Sequence, residues 1–424
     1  MRNPMRWWTS CVLAASIVIL SFLISPNFRI GDPSRERTPY AGDFLHEWVG
    51  GFIVRAGDVT RLYDRDYASG LEHDPALVGF RLRTDGFLPM VYPPAYYLIV
   101  SPLSAIPYRT AAWVWAGLSI GSFVVVGGLL MAALSRGGSV DVAVPITNPR
   151  WERVAPLAAL VALPAAVAFE PFAENLVSSQ KGTFCLLIFT ATFFALQRGA
   201  RWSAGMLFGL LALKPQLAIV VPLALALKGE WRFASGAIAT AVLLVIVSFT
   251  MGSGVAIDYV RFAGDAGEFI RHGTRHAHRF HGAYAFFTLL AGGPTTMARV
   301  ATVVAIVGVV LVLTRLLRGR LEPTSPRFLL QFSGLVLATL IVSPHTLTYD
   351  LTILLLPMAL LSFVALRHGL DRDQGRAIFW SALGLYVVCG CGPWVAQRTG
   401  VQPTLPLMLA LLILLSRRTL TAAH

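Results

Sequence analysis

Apolar stretches long enough to cross a bilayer recur from one end of this chain to the other, beginning with WTSCVLAASIVILSFLI at 8–24. A hydrocarbon core of roughly 30 Å takes about 20 such residues as helix, and a helix satisfies its own backbone there. Of the 424 residues 55% are hydrophobic and 13% charged, more apolar surface than a soluble domain of this size can use. The expected fold is an all-α polytopic membrane protein, with residues 1–424 forming one integral membrane domain. The net charge of +13 is scattered between the runs, which fits cytoplasmic loops and membrane lipids and excludes a nucleic-acid patch. Cys11, Cys185, Cys389 and Cys391 lie in or beside apolar segments, and C-G-C lacks zinc-ligand spacing, so it reads as helix packing.

The basic residues orient these runs. Arg2 and Arg6 precede the first, which is too long for a signal-peptide core and has no small-residue cleavage site after it. It reads as an uncleaved anchor with a cytoplasmic N-terminus. Residues 27–108 then form a long first outer loop. Within it YPPAYYLIVSPLSAIP (92–107) is short and bounded by prolines, and counting it as a span would put RGAR (198–201) outside. It is expected to be interfacial or re-entrant. Spans follow at 109–134, 154–171 and 180–197. The stretch 204–232 has basic residues at both flanks and Lys214 with Pro215 at its middle, which predicts two short helices meeting at that dipeptide. Spans at 233–251, 297–314, 328–343, 350–366, 377–393 and 404–415, with a second long outer loop at 252–296, bring the total to about twelve.

On this topology the outer side collects the chemistry. In GDFLHEW (42–48), Asp43 opens a plausible amphipathic helix and reads equally as its N-cap or as a general base held at the membrane surface. Glu47, one turn later, is a second candidate base or a solvated residue; His46 is a surface residue or hydrogen-bond partner. RHGTRHAHRFH (271–281) carries His272 and His276 at a metal-like spacing. Arg271, Arg275 and Arg279, however, recur every fourth residue and would line guanidiniums along those imidazoles, His276 among them. That field opposes a divalent cation and favours phosphate or a lipid headgroup. Lys214 is costly at membrane depth unless it meets water or an anion. Gln180 and Lys181 stand where an incoming helix starts, a place suited to an anion. In SPHTLTYD (343–350), Asp350 can cap the next span while His345 reaches toward the cavity. Together these describe one outward cavity with a carboxylate and several cations, suited to transfer from a lipid-phosphate donor.

The motif series G-D-F-x-x-x-W, R-A-G-D-x-x-x-L-Y-D, Y-P-P-x-x-Y-L-x-x-x-P-L, G-x-L-x-x-L-A-L-K-P-Q and S-P-H-x-L-x-Y-D, running from about 42 to 357, resembles glycosyltransferase family 87. The resemblance implies a GT-C helical bundle in the cell membrane, its first outer loop bearing interfacial helices and the catalytic carboxylate. It implies mannosyl transfer with inversion from a polyprenyl-phosphate donor to a glycolipid or polysaccharide acceptor on the extracytoplasmic side. Asp43 is then the base, and Lys214, His345 and basic residues of 252–282 are donor-phosphate ligands. Glu47, His46, Gln180, Lys181 and Asp350 are possible supports, although Q-K-G-T-F departs from the G-Q-x-N form expected there. No metal and no cofactor is expected: the outer loop is read as lacking an Asp-x-Asp to hold a metal against a nucleotide diphosphate, and bulk nucleotide sugars lie on the other side of the membrane. The rival class is a transporter or flippase of a lipid-linked saccharide, and a third reading is a scaffold without catalysis.

Overall fold

Lipid offers backbone amides no partner, and the apolar runs fold accordingly. The computed structural model describes residues 4–25, 40–82, 87–135, 161–264, 274–368 and 372–418. Among these there is no strand, only an isolated bridge between Phe280 and Leu347. By length and composition five helices can cross a membrane: Tyr108–Ala133, Trp231–Thr250, Thr296–Leu316, Thr348–Ala365 and Gly375–Thr399. Shorter apolar helices run over Thr9–Ile24, Gly182–Gln197, Arg201–Leu213, Pro215–Leu227, Pro326–Val342 and Thr404–Arg417. Pro326–Val342 is the centre of the bundle, with every residue from 328 to 341 buried. Trp231–Thr250 lies at the periphery and exposes Ile238, Val242, Val245, Ile246 and Phe249.

The 201–230 segment leaves one level and returns to it. Arg201 Nε lies 2.9 Å from Glu230 Oε2, so its two ends meet. Arg201–Gly209 and Trp231–Thr250 run side by side in the same direction, Trp202 against Gly236 and Gly209 against Thr240. The approach requires glycine. A Cβ on Gly205 would stand 2.0 Å from Phe233 O, and one on Gly236 2.2 Å from Trp202 O. Lys214, which breaks the helix ahead of Pro215, therefore sits at the far end of the excursion.

The stretch 87–107 contains helices far too short to span. Pro94–Val100 has seven residues, and Ser101–Ala105 continues it as one 3₁₀ turn. Both pack on Phe44–Ala56, where Trp48 Nε1 donates to Leu103 O at 3.1 Å. The sequence predicts an amphipathic surface helix at 44–57. The structure corrects this, for residues 44–51 are buried around the whole circumference. His46 and Glu47 face protein.

Glu72, at the end of Arg65–Glu72, is fully buried. Its Oε2 accepts from Leu88 N at 3.1 Å, and Oε1 has no partner among the described residues. Burial pushes its pKa from 4.5 to about 8. A carboxyl raised on folding costs stability progressively as pH rises from its unfolded value to its folded one. Glu72→Gln is therefore expected to raise the melting temperature over wild type by a margin that widens between about pH 5 and pH 8. A constant margin would mean that Glu72 does not titrate in that window.

Candidate active site

The chain enters Phe44–Ala56 through two left-handed residues, Ala41 (φ 58°) and Gly42 (φ 59°). A Cβ on Gly42 would stand 3.0 Å from Ser178 Cα, so only glycine lets this turn lie on the 174–182 turn. That second turn has its own left-handed residue, Ser179 (φ 49°). It is fixed by Trp115 Nε1 donating to Ser179 O at 2.8 Å and by Gln180 N donating to Asn175 O at 2.8 Å. Asn175 Oδ1 accepts in turn from Gly182 N. The two turns bring Asp43 to Gln180.

Asp43 holds the N-cap position yet makes no side-chain cap bond. Its Oδ2 accepts instead from Gln180 Nε2, and Oδ1 has no partner among the described residues. Desolvation raises its pKa above the ordinary carboxylate range, with Lys181, Arg279 and Lys214 pulling in the opposite direction. The capping interpretation of Asp43 is thereby set aside. A desolvated carboxylate with one oxygen held and one open can accept a proton.

Glu47 is not solvated. It is wholly buried, ion-paired with Lys181, and accepts from the Tyr96 hydroxyl. Lys181 Nζ also lies 4.1 Å from the centre of the Tyr92 ring. His46 is no surface residue either, being buried and stacked on Tyr92 with ring centres 5.9 Å apart. Burial and the Lys181 charge lower its pKa to about 3, so it is a neutral imidazole.

The lysine at the 201–230 tip meets an anion, but one from the protein: Lys214 is ion-paired with Asp350. Asp350 Oδ2 also accepts from Leu347 N at 3.1 Å, so it caps the turn Thr348–Leu354 while it holds the lysine. His345, partly buried, meets Phe280 edge to face at 5.7 Å and feels the Asp350 charge. Arg279 Nη2 lies 3.2 Å from Glu174 Oε1. The cations expected around the carboxylate are therefore not bare. Lys181, Lys214 and Arg279 each have a carboxylate partner, and Arg279 alone of the three is well exposed, at 51% against 8% and 7%.

Arg271 lies outside the described residues, as do the side chains of Arg275 and His276. Thr274–Arg279 is a 3₁₀ turn, so the four-residue repeat does not run along an α-helix there. Its continuation is fastened to the bundle. His281 N donates to Thr346 O at 2.8 Å, and its ring bridges Thr404 Oγ1 and Thr348 Oγ1 at 3.0 and 3.1 Å.

Glu174, Tyr92 and Tyr96 were not singled out from the sequence. Glu174 is 18% exposed, and desolvation raises its pKa despite Arg279. The signal is an acid three residues beyond an apolar span, and a Tyr-Pro-Pro-x-Tyr run whose phenols and prolines suit a membrane interface. Residues 27–108 do hold one Asp-x-Asp, Asp64 to Asp66, which corrects the expectation that they hold none. There Asp64 is an N-cap, accepting from Tyr67 N at 3.1 Å, and it pairs with Arg61.

Residues 90–344, more than half of the chain, match the model of glycosyltransferase family 87. No curated protein and no solved structure matches. Gln180, Lys181, Lys214 and Arg279 fall inside the matched region; Asp43 precedes it, and His345 and Asp350 follow it. A chain with several membrane-length apolar helices and this match is a membrane glycosyltransferase rather than a transporter or scaffold, and it belongs to glycosyltransferase family 87.

Proposed function

We propose that this enzyme moves a hexose, mannose by the resemblance of its motifs, from a polyprenyl-phosphate donor to a hydroxyl of a glycolipid or polysaccharide at the outer face of the cell membrane. The observation that carries this reading is Asp43: a desolvated carboxylate at a helix start, excused from capping, with one oxygen open and Lys181, Arg279 and Lys214 within electrostatic reach.

The reaction is a single displacement. The acceptor oxygen forms a bond to the anomeric carbon, the bond from that carbon to the donor phosphate oxygen breaks, and the acceptor proton passes to Asp43. Polyprenyl phosphate leaves with the bonding electrons. Its charge is met by groups already in place, which is how such sites lower a barrier. Arg279 is the natural first contact, because its half-exposed guanidinium makes one ion pair among the described residues and carries five donors. Lys214 keeps further N–H donors beside Asp350. His345 and, from the same loop as Arg279, Arg271, Arg275 and His276 complete the proposed phosphate set. Lys181, Glu47 and His46 support the site without touching donor.

Attack opposite the leaving group inverts the anomeric centre. With a donor of one defined configuration, NMR of the product is expected to show the opposite configuration. Retention would overturn the single displacement and with it the role of Asp43.

A further inference from the structure

Two consecutive residues hold the two carboxylates that lie one turn apart on Phe44–Ala56. Gln180 Nε2 donates to Asp43, and Lys181 pairs with Glu47, itself bound by Tyr96. The backbone of the turn is already secured by Trp115 and Asn175. The Gln180 amide adds nothing to that. It is 1% exposed, and its Oε1 is buried without a partner among the described residues. A buried acceptor left unpaired costs stability, a cost that a methionine of similar size does not carry. Among the described residues, the one polar contact its side chain makes is to Asp43.

We propose that Gln180 is a positioning residue. It fixes the Asp43 carboxylate through Oδ2 so that Oδ1 is presented to the acceptor hydroxyl, and the contacts of Lys181 with Glu47 and Tyr96 keep it in register. A carboxylate that turns freely spends much of its time misaligned, and misplacements of about 1 Å cost enzymes up to about 100-fold in rate. The inference rests on Asp43 being the base.

Gln180→Met, assayed on purified enzyme in lipid, is expected to lower kcat by about 10- to 100-fold. KM for donor and acceptor should change less than about twofold, since neither substrate is bound by Gln180. The melting temperature should stay close to wild type, because loss of the orphaned acceptor offsets the hydrogen bond that Asp43 Oδ2 gives up. Gln180→Glu supplies a second signature. Two adjacent carboxyls share one proton, and while that proton is held the hydrogen bond to Asp43 is restored. Activity then peaks at mildly acid pH and falls on the alkaline side, where wild type holds a plateau. Among the described residues, the other groups facing Asp43 are Lys181, Arg279, Lys214, Glu47, Glu174, the neutral His46 and the phenols of Tyr92, Tyr108 and Tyr349. They are the same in all the variants, so the new limb belongs to the introduced carboxyl. An unchanged kcat in Gln180→Met, or one that falls only in step with melting temperature, overturns the proposal. Asp43→Asn is measured in parallel. If it is inactive while Gln180→Met is fully active, only the positioning role fails; if Asp43→Asn is active, the base assignment fails and the positioning role with it.

Discussion

Asp43→Asn is expected to lower kcat by about 10²- to 10⁴-fold, the usual contribution of a positioned general base, with melting temperature and donor affinity close to wild type. The asymmetry follows from the contacts. Asn keeps the shape of the side chain and an oxygen that accepts from Gln180 Nε2, and the helix loses no cap because Asp43 provides none. Only the capacity to take a proton disappears. In the wild type, burial lifts the carboxyl above its usual range. Activity is therefore expected to fall with decreasing pH through a value higher than an exposed aspartate would give, and single-turnover rates across pH measure it. A variant that loses turnover and melts early would instead mark Asp43 as structural.

Breaking the ion pair at the 201–230 tip carries the largest expected effect on stability. Lys214 and Asp350 are 7% and 1% exposed, so neither has water to fall back on. Lys214→Met leaves the Asp350 carboxylate buried beside a methyl group, a loss that runs to about 3–5 kcal/mol for buried pairs. Removing both charges together, as Lys214→Met with Asp350→Asn, is expected to recover most of that loss, since the amide oxygen can still cap Leu347 N. Thermal unfolding in detergent or lipid reads the difference between the single and the double variant. Activity discriminates further. If Lys214 contacts the donor phosphate, KM for donor stays raised in the double variant although stability returns. Recovery of both would make the pair a structural fastening alone.

What the sequence makes legible is whatever lipid dictates. Apolar runs of membrane length become helices, and the Lys214-Pro215 break is visible in the residues because a basic side chain and a missing amide both disfavour an unbroken span. The pairing of charges is not legible in the same way. Lys214 and Asp350 are 136 residues apart, Lys181 and Glu47 134, and Asp43 and Gln180 137. Such contacts are settled by how the bundle closes, which local pattern does not reveal. For the same reason Glu47 and His46 read as surface residues in a helix whose alternation looks amphipathic. The polar side they show faces Lys181 and Tyr92, not water. Gln180 is the instructive case: an unexceptional residue in a turn, whose significance lies wholly in the carboxylate it meets.

The central claim, a lipid-linked donor acted on by Asp43, is tested most directly by sugar transfer in proteoliposomes from two labelled donors, polyprenyl-phosphate mannose and nucleotide-diphosphate mannose. A membrane glycolipid fraction serves as acceptor, with wild type and Asp43→Asn side by side. Label is expected to reach product from the lipid donor with wild type alone, and from the nucleotide donor with neither protein. Transfer from the nucleotide donor, or equal transfer from the lipid donor by both proteins, would contradict it.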